Sequence, residues 1–204
     1  MKHSTPIALA PSLASLLVLG LLACGEPSTV TTDATSAAPP AAERVAQDEP
    51  TASAAGWEEL VPNARRPLPN LITGGQPTAE QLAAARDLGV TTVINLRTDT
   101  EPGTKAADSE ALGLAYVSLP IRGPEDFTAE NAELLADALA EAEGDVLLHC
   151  GSGNRVGALV ALKAFHVDGS SAGEALELGL DAGLTRLEPA VREALGLPAS
   201  GAEE

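Results

Sequence analysis

The sequence predicts an α/β domain with a mostly parallel central sheet of about four to five strands, flanked by helices. Three observations carry this. Short apolar, β-branched runs recur along the chain; helical patterns with readable ends lie between them; and the runs are apolar at consecutive positions, as in strands buried on both faces. The order strand, helix, strand, helix, strand, then helices places helices on both faces of one sheet.

The elements follow in order. Leu71-Ile72-Thr73-Gly74-Gly75 is a short strand, and Thr78-Ala79-Glu80-Gln81 is a capping box opening a helix that stops at Gly89. Residues 91–97 (TTVINLR) form the next strand, followed by a shorter helix over 104–112 that ends at Gly113. Residues 115–121 (AYVSLPI) are a third strand. Residues 128–143 are a helix with Leu134, Leu135, Ala138 and Leu139 on one side, and Gly144 stops it. Residues 145–150 (DVLLHC) are the last strand. Helices are expected over 154–167, over 171–182 with Ser171 and Glu174 as cap, and over about 188–195. Nothing in the sequence repeats. Trp57 is expected to pack at the domain edge, and His166 to be an ordinary helix residue.

The chain has 204 residues, enough for one ordinary domain with tails. Its 29 acidic residues against 12 basic give a net charge of −17, which argues against a nucleic-acid partner because the phosphate backbone would be repelled. Two cysteines, Cys24 and Cys150, and three histidines exclude a disulfide-stapled scaffold and a cysteine-rich zinc module. Neither a metal nor a cofactor is expected. Aromatic residues make up 2% of the chain, so the core has to be built from Leu, Val, Ile and Ala.

Met1-Lys2-His3 precedes an apolar run from Ile7 to Ala23, the pattern of an export signal over residues 1–23. The run ends in Leu21-Leu22-Ala23-Cys24-Gly25, which resembles the lipobox of bacterial lipoproteins and implies lipidation of Cys24 and a membrane anchor. Gly25 lacks the Asp that marks inner-membrane retention in enterobacterial lipoproteins, so the expected address is the envelope, at an outer membrane facing the periplasm. A plain secretory signal with an incidental cysteine, or an uncleaved anchor, is the competing reading. Residues 24–56 are rich in Ala, Pro, Thr, Ser and acid without apolar periodicity, a tether with a typical reach of roughly 30 Å. Residues 57–204 are the folded domain.

In open α/β sheets ligands bind beyond the carboxyl ends of the strands. Arg97, Arg122 and Cys150 stand at those ends. They form an anion pocket, or else the arginines are surface charges paired with carboxylates such as Asp99 and Glu125. The richest stretch is His149-Cys150-Gly151-Ser152-Gly153-Asn154-Arg155-Val156-Gly157. A buried strand delivers Cys150 into a glycine-containing loop from which a helix starts near Asn154. Loop amides, the helix N-terminus and Arg155 point positive charge at the sulfur, which favours the nucleophilic thiolate. The same amides and guanidinium can hold a tetrahedral oxyanion. His149 can order the loop through a backbone contact.

This stretch resembles the active loop of a bacterial branch of the protein tyrosine/dual-specificity phosphatase superfamily, the phosphatase-like domain of beta-lactamase hydrolase-like proteins. The resemblance takes in Asn70-Leu71-Ile72-Thr73-Gly74-Gly75-Gln76-Pro77-Thr78, Gln81-Leu82, Gly89-Val90, Val93-Ile94-Asn95-Leu96-Arg97 and Gly183-Leu184-Thr185, covering residues 68–191. It implies a cysteine phosphatase-like fold and hydrolysis of phosphate monoesters through a thiophosphate on Cys150. Arg155 would clamp the phosphoryl group, and His149, Gly151, Ser152, Gly153, Asn154, Arg97 and Arg122 would surround the substrate. Asp126 would be the general acid, with Glu125 second, unless it caps the helix near Thr128. The implied partner is a phosphorylated protein or a small phosphate ester, and no metal is needed. Two departures stand out: four residues separate Cys150 from Arg155, where ordinary members of the superfamily have five, and Val156 occupies the position where they carry Ser or Thr. The shorter loop also resembles that of rhodanese-like sulfurtransferases, with a persulfide on Cys150. A catalytically weak anion- or peptide-binding envelope module is the third reading.

Overall fold

The computed structural model describes residues 56–103 and 105–199. The expected export signal, the lipidation site Cys24 and all of the tether except Gly56 lie outside the described residues. Among the described residues no helix is long and apolar enough to cross a membrane.

A five-stranded sheet has the order β1-β2-β5-β3-β4. Its strands are β1 (Arg65–Leu68), β2 (Leu71–Gly74), β3 (Val90–Asn95), β4 (Ala115–Ser118) and β5 (Asp145–His149). Only β1 runs antiparallel to its neighbour. The helices are α1 (Ala79–Asp87), α2 (Ala106–Glu110), α3 (Ala129–Glu141), α4 (Asn154–His166), α5 (Ala172–Asp181) and α6 (Glu188–Ala194). The predicted capping boxes form as read: Thr78 Oγ1 accepts from Gln81 N at 3.2 Å, and Ser171 Oγ accepts from Glu174 N at 3.4 Å.

β1 is the element the sequence did not announce. Arg65-Arg66-Pro67-Leu68 has no apolar alternation, and Pro67 is tolerated because the strand is at the sheet edge. A tertiary contact holds it: Arg66 Nη2 meets Asp145 Oδ2 at 3.1 Å. β4 is shorter than the apolar run that predicts it. Beyond Ser118 the chain keeps two bonds to the β3 segment, Leu119 N to Asn95 O and Ile121 N to Leu96 O, both at 2.9 Å.

β5 lies in the middle, paired with β2 on one side and β3 on the other. Its side chains alternate between two cores. Val146 and Leu148 pack with Leu135 of α3, Leu159 of α4, Leu176 of α5 and Val191 of α6. Leu147 packs on the opposite face with Ile72, Val93 and Leu82 of α1, and Trp57 rests against that cluster at its edge. Both faces of the strand are therefore buried, which is why its sequence is a continuous apolar run. α4 is buried over most of its circumference, and Gly157 sets how closely the 179–184 segment approaches it. A Cβ there would stand 2.1 Å from Leu184 N and 2.5 Å from Gly179 O.

His149, the last residue of β5, is 1% exposed. Burial is the main cause that lowers its pKa to about 4, so the ring is neutral near neutral pH.

Two outcomes follow from this packing. Gly157→Ala should destabilise the domain by about 1–3 kcal/mol through overpacking, measured by urea unfolding with an unchanged m-value. Because the folded state resists protonating His149 while the unfolded chain does not, stability should fall as pH drops from about 6.5 towards 4. A variant that keeps the volume without the titration, His149→Gln, should show a flatter profile across that window in thermal unfolding.

Candidate active site

The loop after β5 is held from both sides by backbone bonds. Cys150 N donates to Gly74 O at 3.2 Å, Gln76 N donates to Gly151 O at 3.3 Å, and Gly75 bridges to Ser152. On the other flank Leu96 N donates to His149 O at 2.9 Å. The segment 74–76 thus walls the loop as an extension of β2. Gly153 turns the chain at φ 91°, a left-handed conformation that suits glycine, and its N–H donates to Cys150 Sγ at 3.1 Å. That turn starts α4 directly at Asn154, so the sulfur sits under the N-terminus of a thirteen-residue helix.

Arg155 lies in the first turn of α4, and its guanidinium is fixed by a residue absent from the sequence reading. Glu101 takes both ends of the fork: Nη1 donates to Oε1 and Nη2 to Oε2, each at 2.8 Å, while Nη1 also reaches Ile121 O at 2.8 Å. The paired Arg155 guanidinium, first among the causes, holds the Glu101 carboxyl well below the usual carboxylate range. In return Arg155 is kept firmly charged, first by Glu101 and further by the neighbouring Cys150. Arg155 also hydrogen-bonds the Cys150 side chain. The Nη2 edge faces the loop, 3.5 Å from where a Cβ on Gly151 would lie.

Arg97 joins the same carboxylate. Its Nε donates to Glu101 Oε2 at 3.1 Å, and Nη1 bonds Gln76 Oε1 and Pro102 O. The expectation that Arg97 lines an anion pocket is corrected here: its guanidinium is buried behind the site and acts through Glu101. The carboxylate partner is Glu101, not Asp99, because the turn after β3 closes over four residues. His149 is corrected as well. It does not line the substrate space; its Nδ1 lies 3.5 Å from Cys150 O, inside the core.

A cavity of about 440 Å³ opens over the loop, lined by Ser152, Asn154 and Arg155 together with Arg122, Arg186 and Leu187 among others. The expected roles of the two strand-end arginines therefore separate: Arg122 reaches this wall and Arg97 does not. Asn154 lies at the wall but its carboxamide is structural, Oδ1 accepting from Thr185 N at 2.9 Å and Leu187 N at 3.4 Å. Those bonds place Arg186, a second residue the sequence reading passed over. The resemblance takes in Gly183-Leu184-Thr185, and Arg186 is the very next residue.

Asp126 does not stand in this wall. It sits in a short 3₁₀ turn (Pro124–Asp126) and accepts from Arg122 N at 2.8 Å, Arg122 Nε at 2.9 Å and Arg122 Nη2 at 2.7 Å. Those bonds, first among them the one from the Arg122 side chain, lower its pKa. In this structure Asp126 braces the Arg122 turn and is not among the residues lining the cavity over Arg155. Nor is it the cap of α3, which is Thr128, with Oγ1 accepting from Asn131 N at 3.2 Å. Among the described residues no three His, Cys, Asp or Glu side chains gather as a metal site.

Comparison with known proteins agrees with this arrangement. Residues 64–166, half of the chain, match the model of the family described as beta-lactamase hydrolase-like protein, phosphatase-like domain. Over 98 residues the chain is 37% identical to a beta-lactamase hydrolase-like protein of Xylella fastidiosa strain Temecula1 and 33% identical to one of Agrobacterium fabrum strain C58. Each match covers 45% of this chain and 22% of the relative, so this chain corresponds to a minor part of those longer proteins. Among solved structures, a candidate phosphatase of Neisseria meningitidis Z2491 aligns with TM-score 0.55 at 22% identity, covering 64% of this chain and 94% of that one. Tk-PTP in its active form aligns with TM-score 0.52 at 23% identity, covering 66% and 96%. These likenesses establish the fold, and with the family match over β1 to α4 the chain belongs to the phosphatase-like domain family of beta-lactamase hydrolase-like proteins.

Proposed function

We propose that the domain is a cysteine-dependent phosphatase acting on phosphate monoesters. The observation that carries this reading is the placement of Cys150 Sγ, which takes the Gly153 N–H at 3.1 Å beside an Arg155 held in bidentate contact by Glu101. Arg155, braced by Glu101 beside the sulfur, meets the phosphoryl oxygens. Cys150 Sγ attacks phosphorus, the S–P bond forms, and the ester P–O bond breaks with its electron pair leaving on oxygen. Water then attacks phosphorus, the S–P pair returns to sulfur, and inorganic phosphate is released. Glu101 is a positioning residue in this scheme, acting through Arg155. Val156 is fully buried against the core, so it does not enter the second step in the way a hydroxyl at that position would.

No carboxyl group lines the cavity that holds Arg155. Asp126 and Glu101, the carboxylates bonded to its lining arginines Arg122 and Arg155, are both engaged as acceptors, which favours good leaving groups. The lipid anchor at Cys24 and the envelope address remain proposals carried by residues 1–25 alone; mass spectrometry of the mature N-terminus reads them directly.

In an assay on an aryl phosphate, Cys150→Ser should lower phosphate release about a thousandfold or more. Persistence of turnover in that variant would remove the covalent mechanism, and thiocyanate formation from thiosulfate and cyanide without phosphate release would assign a sulfurtransferase. Across aryl phosphates of increasing leaving-group pKa, Asp126→Asn should change all rates by one common factor. A selective loss on the poorest leaving groups would restore Asp126 as the acid.

A further inference from the structure

Two arginines stand apart from the others. Arg66, Arg86, Arg97, Arg122, Arg155 and Arg192 each have a carboxylate partner. Arg65 and Arg186 have none among the described residues; the one bond recorded for Arg65 runs from Nη1 to the carbonyl of its own neighbour Ala64, at 3.2 Å. In a chain with 29 acidic and 12 basic residues, two guanidiniums without a counter-charge are the exception.

Both line one cavity of about 320 Å³, with Ser152 of the nucleophile loop and Thr185 in the same wall. Ser152 and Arg186 also line the cavity over Arg155, so the two spaces are neighbours across the loop. The second one is built, not incidental. Asn63, in its wall, is the single non-glycine described residue with positive φ (57°), and its Nδ2 donates to Ser152 O at 3.1 Å. That bond ties the entry of β1, and Arg65 with it, to the nucleophile loop. On the other side Asn154 holds the Thr185–Leu187 backbone that carries Arg186. The residues lining the two cavities include no aromatic ring, so nothing there stacks on a phosphotyrosine side chain.

We propose that Arg65 and Arg186 form a second anion subsite, and that the substrate is a small molecule whose leaving portion carries a second phosphate. The reacting phosphoryl group lies against Arg155 and the Cys150 loop, and the second phosphate lies between Arg65 and Arg186. Arginine suits this role because its planar fork takes two phosphate oxygens at once. This rests on the phosphatase reading and deepens it. The bond broken is the same P–O bond; the arginines hold the second phosphate and so position the ester for attack by Cys150 Sγ.

The test is calorimetry on the full chain carrying Cys150→Ser, with inorganic phosphate and inorganic tripolyphosphate as probes, so that binding is read without turnover. Tripolyphosphate should bind about tenfold or more tightly than phosphate. Adding Arg65→Ala and Arg186→Ala together should bring the ratio of the two affinities to within about twofold of unity. Arg86→Ala, which removes a guanidinium paired with Asp87 on α1, should leave that ratio unchanged. Circular dichroism establishes that each variant is folded. Equal affinity for the two probes, or a ratio that survives the double substitution, would overturn the subsite. Absence of aryl phosphate turnover by the unsubstituted protein would instead overturn the phosphatase reading, since the binding ratio is measured independently of it.

Discussion

Glu101 accepts from Arg155 on both oxygens and from Arg97 on Oε2, and this shared carboxylate joins the turn after β3 to the first turn of α4. Neither arginine has another carboxylate partner among the described residues. All three side chains are well shielded: 11% exposed for Arg97, 15% for Arg155 and 28% for Glu101. A carboxylate between two guanidiniums at this depth resists removal, because its loss would leave two partly buried cations uncompensated. The direction of Arg155, and with it the space above Cys150, depends on that arrangement. Gln76 and Pro102 extend it by receiving Arg97, so the wall formed by β2 and its extension, the turn after β3, and α4 are tied into one polar unit above the sheet.

The polar unit works because the sheet beneath it is rigid. β5 has neighbours on both edges and core on both faces, so its last residue cannot drift, and Cys150 inherits that position. Neutral His149 contributes apolar bulk and one weak contact to the Cys150 carbonyl in place of charge. A strongly acidic protein can then present a cationic patch, because the local field above the loop is set by fixed guanidiniums at close range and not by the distant net charge.

Much of this was readable in order along the chain. Of the four parallel strands, the inner three, β2, β5 and β3, are continuous apolar runs because both of their faces are covered. Thr78 and Ser171 announce their helices because capping is a local hydrogen bond between residues three apart. Cys150, Gly153 and Arg155 were legible for the same reason: the strand–loop–helix junction that unites them is contiguous in sequence. What the sequence leaves open is which of several partners each charged side chain takes, even when that partner is only four residues away. Arg97 looked like a ligand for substrate because its strand-end position was visible and its partners Gln76 and Glu101 were not assigned. Asp126 looked like an acid because it follows a strand in the expected place, yet Arg122, four residues away, closes on both of its oxygens.

The sequence by itself determined the fold class, the Cys150 strand–loop–helix junction and the acidic character of the chain, since periodicity, contiguous motifs and composition are local or additive properties. The tertiary structure decided which charges meet. It alone joined Glu101 to Arg155, fifty-four residues apart, turned Arg97 inward, and left Arg65 and Arg186 unpaired around one cavity. Charge pairing over such separations depends on strand order and helix docking, and the order β1-β2-β5-β3-β4, with the last strand inserted between earlier ones, is not written in any single segment.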